Sequence, residues 1–129
     1  MTGVLLVSYS LRLAEGVKEL VDELDHGAVP VWPVGGVDEL GVSVEAVLAA
    51  ARALLQRPDV EAVVGLGDLG GAIIALETSV DVGHLEGVLW VADAPLVEGA
   101  VAAVMAAAAG GAATNVVAAA EEAATQRKR

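Results

Sequence analysis

Ser8, Tyr9 and Ser10 form a polar turn directly after an apolar run, Val4-Leu5-Leu6-Val7, and directly before a helical pattern. In open α/β sheets, ligands and reacting groups sit at such a turn, at the carboxyl end of a strand. The Tyr9 phenol is a poor nucleophile unless a base activates it. A second polar turn, Gly67-Asp68-Leu69-Gly70-Gly71, follows the apolar run Val60 to Leu66. Gly65 to Gly70 matches the G-x-G-x-x-G dinucleotide pattern, but after the third strand and not the first, and with Asp68 where it would repel a pyrophosphate. A nucleotide cofactor is therefore not expected. Taken alone, Asp68 is a good helix N-cap.

The elements that must position these turns alternate along the chain. Gly3 to Ser8 reads as a buried strand. Leu13, Val17, Leu20, Val21 and Leu24 then share one helical face, with Arg12, Glu15, Lys18, Glu19, Asp22 and Glu23 outside it, and Gly27 stops the helix. Ala28 to Val34 is a second strand whose Pro30 and Pro33 confine it to an edge. Gly35-Gly36 opens a loop, and Ser43 caps a helix with Val44, Val47, Leu48, Ala51, Leu54 and Leu55 inward, ended by Pro58. Val60 to Leu66 is a strand buried on both faces. A helix over Leu69–Ser79, a strand over Gly87–Val91, a helix from Pro95 to about Ala109 and a final helix beyond Gly110-Gly111 complete the pattern. Strands alternating with helices over short connections predict an α/β domain with a parallel sheet covered on both faces.

One domain is expected over residues 1–129, with 56% hydrophobic residues that are mostly Ala, Val, Leu and Gly, so its elements should pack closely. With no cysteine, thiolate catalysis and thiolate metal sites are excluded, and His26 and His84 make no zinc site by themselves. A net charge of −11 argues against nucleic acid and anionic membranes as partners. The basic run Arg127-Lys128-Arg129 is expected to end the last helix, where cations complement its dipole. Pro95 to Ala113 is rich in Ala and Gly, reads as a buried or interface helix and not as a membrane span, and no signal peptide is legible. A cytoplasmic location is expected.

Four segments in this order, Val7-Ser8-Tyr9-Ser10 to Val17, Gly41-Val42-Ser43, Asp68-Leu69-Gly70-Gly71 and Ala94-Pro95 to Val101, resemble the mannose-type enzyme IIA domains. Among these they resemble the phosphotransfer subunits of phosphoenolpyruvate-dependent dihydroxyacetone kinases. In that family the first turn reads Ser-His-Ser and the histidine carries the phosphoryl group; here the position is Tyr9. The resemblance implies the strand order 2-1-3-4, with Tyr9 at the acceptor position and Asp68 as the carboxylate that orients the acceptor. It implies Ser8, Ser10, Ser43, Gly67, Gly70 and Gly71 as phosphate or partner contacts, the glycines leaving N–H groups free at a helix start. Val42 stands for the family's threonine and Gly71 for its usual serine. The implied partners are the phosphocarrier HPr and the nucleotide-binding dihydroxyacetone kinase subunit, with the chain itself a homodimer holding no cofactor or metal. The implied function is a phosphoryl relay with its acceptor replaced by Tyr9; the alternative is a relay-incompetent paralogue that acts as a regulatory or partner-binding subunit. If the old geometry persists, the Tyr9 hydroxyl should donate to Asp68 within about 3 Å.

Overall fold

The computed structural model describes residues 1–129. β1 (Thr2–Ser10), β2 (Val31–Gly36), β3 (Ala62–Gly67) and β4 (Leu89–Val91) pair in parallel in the order β2-β1-β3-β4. Pro33 lies in β2, an edge strand, where its missing N–H leaves no gap in an inner ladder. β1 and β3 hold the centre, and their apolar runs are buried on both faces: Val4, Leu5, Leu6, Val7, Val63, Val64 and Leu66 are all 0% exposed.

Strand alternation divides the core. Val4, Leu6, Val64 and Leu66 pack with α1 (Leu11–Asp25), α4 (Leu96–Ala108) and α5 (Ala113–Glu122) on one face. Leu5, Val7 and Val63 pack with α2 (Val44–Leu55) and α3 (Gly70–Gly83) on the other. By the same alternation Tyr9 belongs to the α2–α3 face, and it packs against that core. The first two glycines of the dinucleotide-like pattern serve this packing: a Cβ on Gly65 would stand 2.5 Å from Leu76 Cδ2, and one on Gly67 would stand 2.9 Å from Ala72 Cβ. They let α3 lie close to β3.

Several boundaries and faces differ from the sequence pattern. α1 buries Ala14, Val17 and Val21, while Leu13, Leu20 and Leu24 are between 43% and 50% exposed. Its apolar arc is wider than the sheet can cover. β2 begins at Val31 and absorbs Gly35-Gly36 instead of yielding to a loop there. α3 runs on to Gly83, and His84, like His26 after α1, takes the left-handed C-cap conformation. α4 buries one face, through Leu96, Gly99, Ala100, Ala103, Val104 and Ala107, with Val97 and Met105 outside. Beyond α5 a 3-10 turn, Ala123–Thr125, ends the helical path, so the basic run does not sit on a helix dipole; Lys128 instead bonds Glu98 of α4 at 2.6 Å. No helix is long and apolar enough to cross a membrane.

Candidate functional site

The site begins with a register slip. Val7 pairs with Val34 but Ser10 pairs with Gly36, so β1 carries one more residue than β2 across this interval. Such a bulge bends a strand end and re-aims its side chains. The end of β2 presses on it through two glycines. A Cβ on Gly35 would stand 2.5 Å from the Leu11 nitrogen and 2.6 Å from the Ser8 carbonyl oxygen. The Gly41 N–H donates to the Tyr9 carbonyl at 2.9 Å, which ties the loop before α2 to the same turn.

Asp68 joins the ends of β1 and β3. Its Oδ2 accepts from the Ser8 hydroxyl at 2.7 Å and from the Tyr9 main-chain N–H at 3.1 Å, and its Oδ1 accepts from the Leu69 N–H at 2.8 Å. Its own N–H donates to the Val7 carbonyl at 3.1 Å. Ser8 is fully buried, and its Oγ accepts from the Ser10 N–H at 3.0 Å while it donates to Asp68. The carboxylate thus organises the turn through main-chain donors and one hydroxyl. The phenol-to-carboxylate bond expected from the sequence does not form; Asp68 meets Tyr9 through its backbone. Asp68 is not the cap of α3 either, since Leu69 holds the N-cap position without a side-chain bond.

The Tyr9 side chain, half-buried, reaches across to α3. A Cβ on Gly71 would overlap the Tyr9 hydroxyl and stand 2.9 Å from Cζ. A Cβ on Gly70 would meet nothing within 4 Å. Ser8, Tyr9, Ser10, Gly67, Asp68, Gly70 and Gly71 therefore lie at one end of the sheet. The Ser10 hydroxyl already caps α1 by accepting from the Leu13 N–H, and that of Ser43 caps α2 by accepting from the Ala46 N–H. Ser43 sits two residues beyond the Gly41 contact and bonds nothing in the turn itself. His26 and His84, exposed at helix C-termini that precede β2 and β4, lie at the other end of the sheet.

Sequence reasoning missed Gly35, Gly36 and the Leu69 N–H as parts of this turn. A double glycine after an edge strand was the available signal for the first two. Around the turn Val37 and Leu40, in the loop before α2, and Leu69 are 57–77% exposed. Lys128 reaches the opening turn of α4, where its hydrogen bond holds the Glu98 carboxyl below the usual carboxylate range and raises the Lys128 ammonium above its own.

The chain matches the EIIA-man family, described as the PTS system fructose IIA component, over residues 3–117. It is 32% identical over 109 residues to the phosphoryl donor subunit DhaM of a PEP-dependent dihydroxyacetone kinase from Providencia stuartii, a match that covers 79% of this chain and 22% of that protein. It is 29% identical over 107 residues to the phosphoryl donor subunit DhaM of PEP-dependent dihydroxyacetone kinase 2 from Listeria innocua, covering 81% and 85%. The chain thus spans about a fifth of the first relative's length and most of the second's. A crystal structure of a protein of unknown function superposes with a TM-score of 0.84 at 26% identity, over 99% of this chain and 98% of that one.

Proposed function

This chain belongs to the mannose-type enzyme IIA family of the phosphotransferase system, and on that premise we propose that it is a dihydroxyacetone-kinase-type subunit that docks its partners without relaying a phosphoryl group. The single observation that carries this reading is the setting of Tyr9. Asp68, the carboxylate bonded into the turn, is occupied by the Ser8 hydroxyl and by the N–H groups of Tyr9 and Leu69, and not by the phenol. A phenol is a poor nucleophile toward a phosphoryl donor unless a base activates it. Were it phosphorylated, the resulting aryl ester would lack the transfer potential of a phosphoimidazole.

The partner class comes from the relatives, which are named as phosphoryl donor subunits of PEP-dependent dihydroxyacetone kinases. HPr and the nucleotide-binding kinase subunit are the proposed partners, in the cytoplasm, and the exposed Val37, Leu40 and Leu69 around the turn supply an apolar rim for them. A homodimer is proposed as the working form. Ser8 and Asp68 serve here as the frame of the turn, with Ser10 and Ser43 as helix caps beside it.

Labelling tests this directly. With labelled phosphoenolpyruvate, enzyme I and HPr, the native chain should take up no acid-labile phosphate, while Tyr9→His should take up a measurable fraction. The nucleotide-binding subunit should bind both in calorimetry. Acid-labile label on the native chain, at His26, His84 or elsewhere, would restore the relay reading, and absence of binding to the kinase subunit would remove the docking role.

A further inference from the structure

The turn at the carboxyl ends of β1 and β3 is closed. Four depressions mark the surface and none is lined by Ser8, Tyr9, Ser10 or Asp68. The largest, about 590 Å³, opens at the other end of the sheet between Met1, Trp90 and Gly111. What fills the turn is the Tyr9 ring. It crosses from the end of β1 to the first turn of α3, where a Cβ at position 71 would overlap the hydroxyl and stand 2.9 Å from Cζ and 3.3 Å from Cε1. At position 70, one residue earlier in the same helix turn, a Cβ would meet nothing. Gly71 has no positive φ to justify glycine. A glycine in a helix costs backbone entropy relative to alanine, so its value here is the room it leaves.

We propose that Tyr9 and Gly71 are a matched pair: Gly71 is the positioning residue that seats the phenol on α3, and the seated ring closes the turn. A partner then meets a filled surface and not a pocket. The link to partner docking rests on the proposed function above, whereas the pairing of the two residues does not. A residue with any side chain at 71 must push the ring tip away from α3. The ring can swing, so the expected consequence is displacement of Tyr9 and not loss of the fold.

Tyr9 is the only tyrosine in the chain, so biosynthetic 3-fluorotyrosine gives one fluorine resonance. Gly71→Ala should shift that resonance and raise its broadening by a soluble paramagnetic agent severalfold, and Gly70→Ala should change neither. A resonance unmoved by Gly71→Ala, or moved equally by Gly70→Ala, would overturn the pairing. A thermal cycle supplies a second arm: Gly71→Ala should lower the melting midpoint in the native chain and raise it in a Tyr9→Ala background, where only helix propensity acts. Equal shifts in the two backgrounds would also overturn it. Neither arm uses phosphoryl donor or kinase subunit, so a failed pairing and a failed docking role give separate results.

Discussion

Asp68 holds two strand ends with one carboxylate, and its worth can be separated from any relay. It accepts from a fully buried hydroxyl and from the N–H groups of Tyr9 and Leu69. Removing an acceptor leaves its donors to find water or go unpaired. Because the carboxylate is half-buried, water replaces part of the loss, and Asp68→Ala is expected to cost about 2 kcal/mol of stability, with Asp68→Asn costing roughly half of that. Urea unfolding with an unchanged slope checks both values. Tyr9→Phe, by contrast, should change stability little, since the phenol hydroxyl makes no hydrogen bond in the chain. That two polar turns would stand at strand ends was legible from the residues, and that they would meet followed from the strand order that the resemblance implied. That Asp68 would spend its oxygens on main-chain donors was not, because the bulge that brings the Tyr9 N–H inward depends on how β2 pairs with β1.

Helices and strands were legible in kind and order because apolar runs and helical periods do not overlap in this chain. What each glycine does was not legible, since that depends on the neighbour it faces. Gly65 makes room for a side chain tip, Leu76 Cδ2, which can rotate away. Gly35 makes room for backbone atoms of Ser8, Ser10 and Leu11, which cannot move without breaking the turn. Gly65→Ala is therefore expected to cost about 1–3 kcal/mol, in the range of an overpacked core. Gly35→Ala should cost more than Gly65→Ala in the same urea measurement, although both add one methyl. The basic run shows the same limit: a pattern at a helix end suggested a dipole partner, and tertiary geometry supplied Glu98 instead. Since the folded Glu98 carboxyl titrates below its ordinary range, its share of this latch is full above that range and is lost as pH falls through the lowered value. Lys128 titrates above its ordinary value, so its share is lost only as pH rises through the raised one. The latch should hold through neutral pH and release in acid, seen as faster amide motion at residues 126–129 on the nanosecond scale, and Lys128→Ala should show that motion at neutral pH.

At the scale of the whole molecule, the unusual feature is an apolar surface across α1 and α4. The charged flank of α1, through Glu15, Lys18 and Asp22, lies toward the edge strand at Pro33. On a helix wheel Leu13, Leu20 and Leu24 fall on the opposite flank, toward α4, which packs beside α1. There α4 presents Val97 and Met105, 41% and 49% exposed, at i and i+8. Apolar side chains left in water together on adjacent helices are the mark of a contact surface. The homodimer proposed above would cover such a strip without calling on an opposite charge, which suits an acidic chain of net −11. The sequence pointed to an assembly through α4 alone; the leucines of α1, read from their period as core, are also exposed. A stable twofold contact buries about 800 Å² per partner, an area that two helix flanks can supply. Sedimentation equilibrium at micromolar concentration should give a dimer for the native chain. Leu20→Glu and Met105→Glu should each give a folded monomer, because a charge at the centre of the contact is left unpaired when the copies meet. Val82→Glu, at a more exposed valine on α3 across the sheet, should leave the dimer intact. A monomeric native chain, or dissociation by Val82→Glu alone, would place the contact elsewhere.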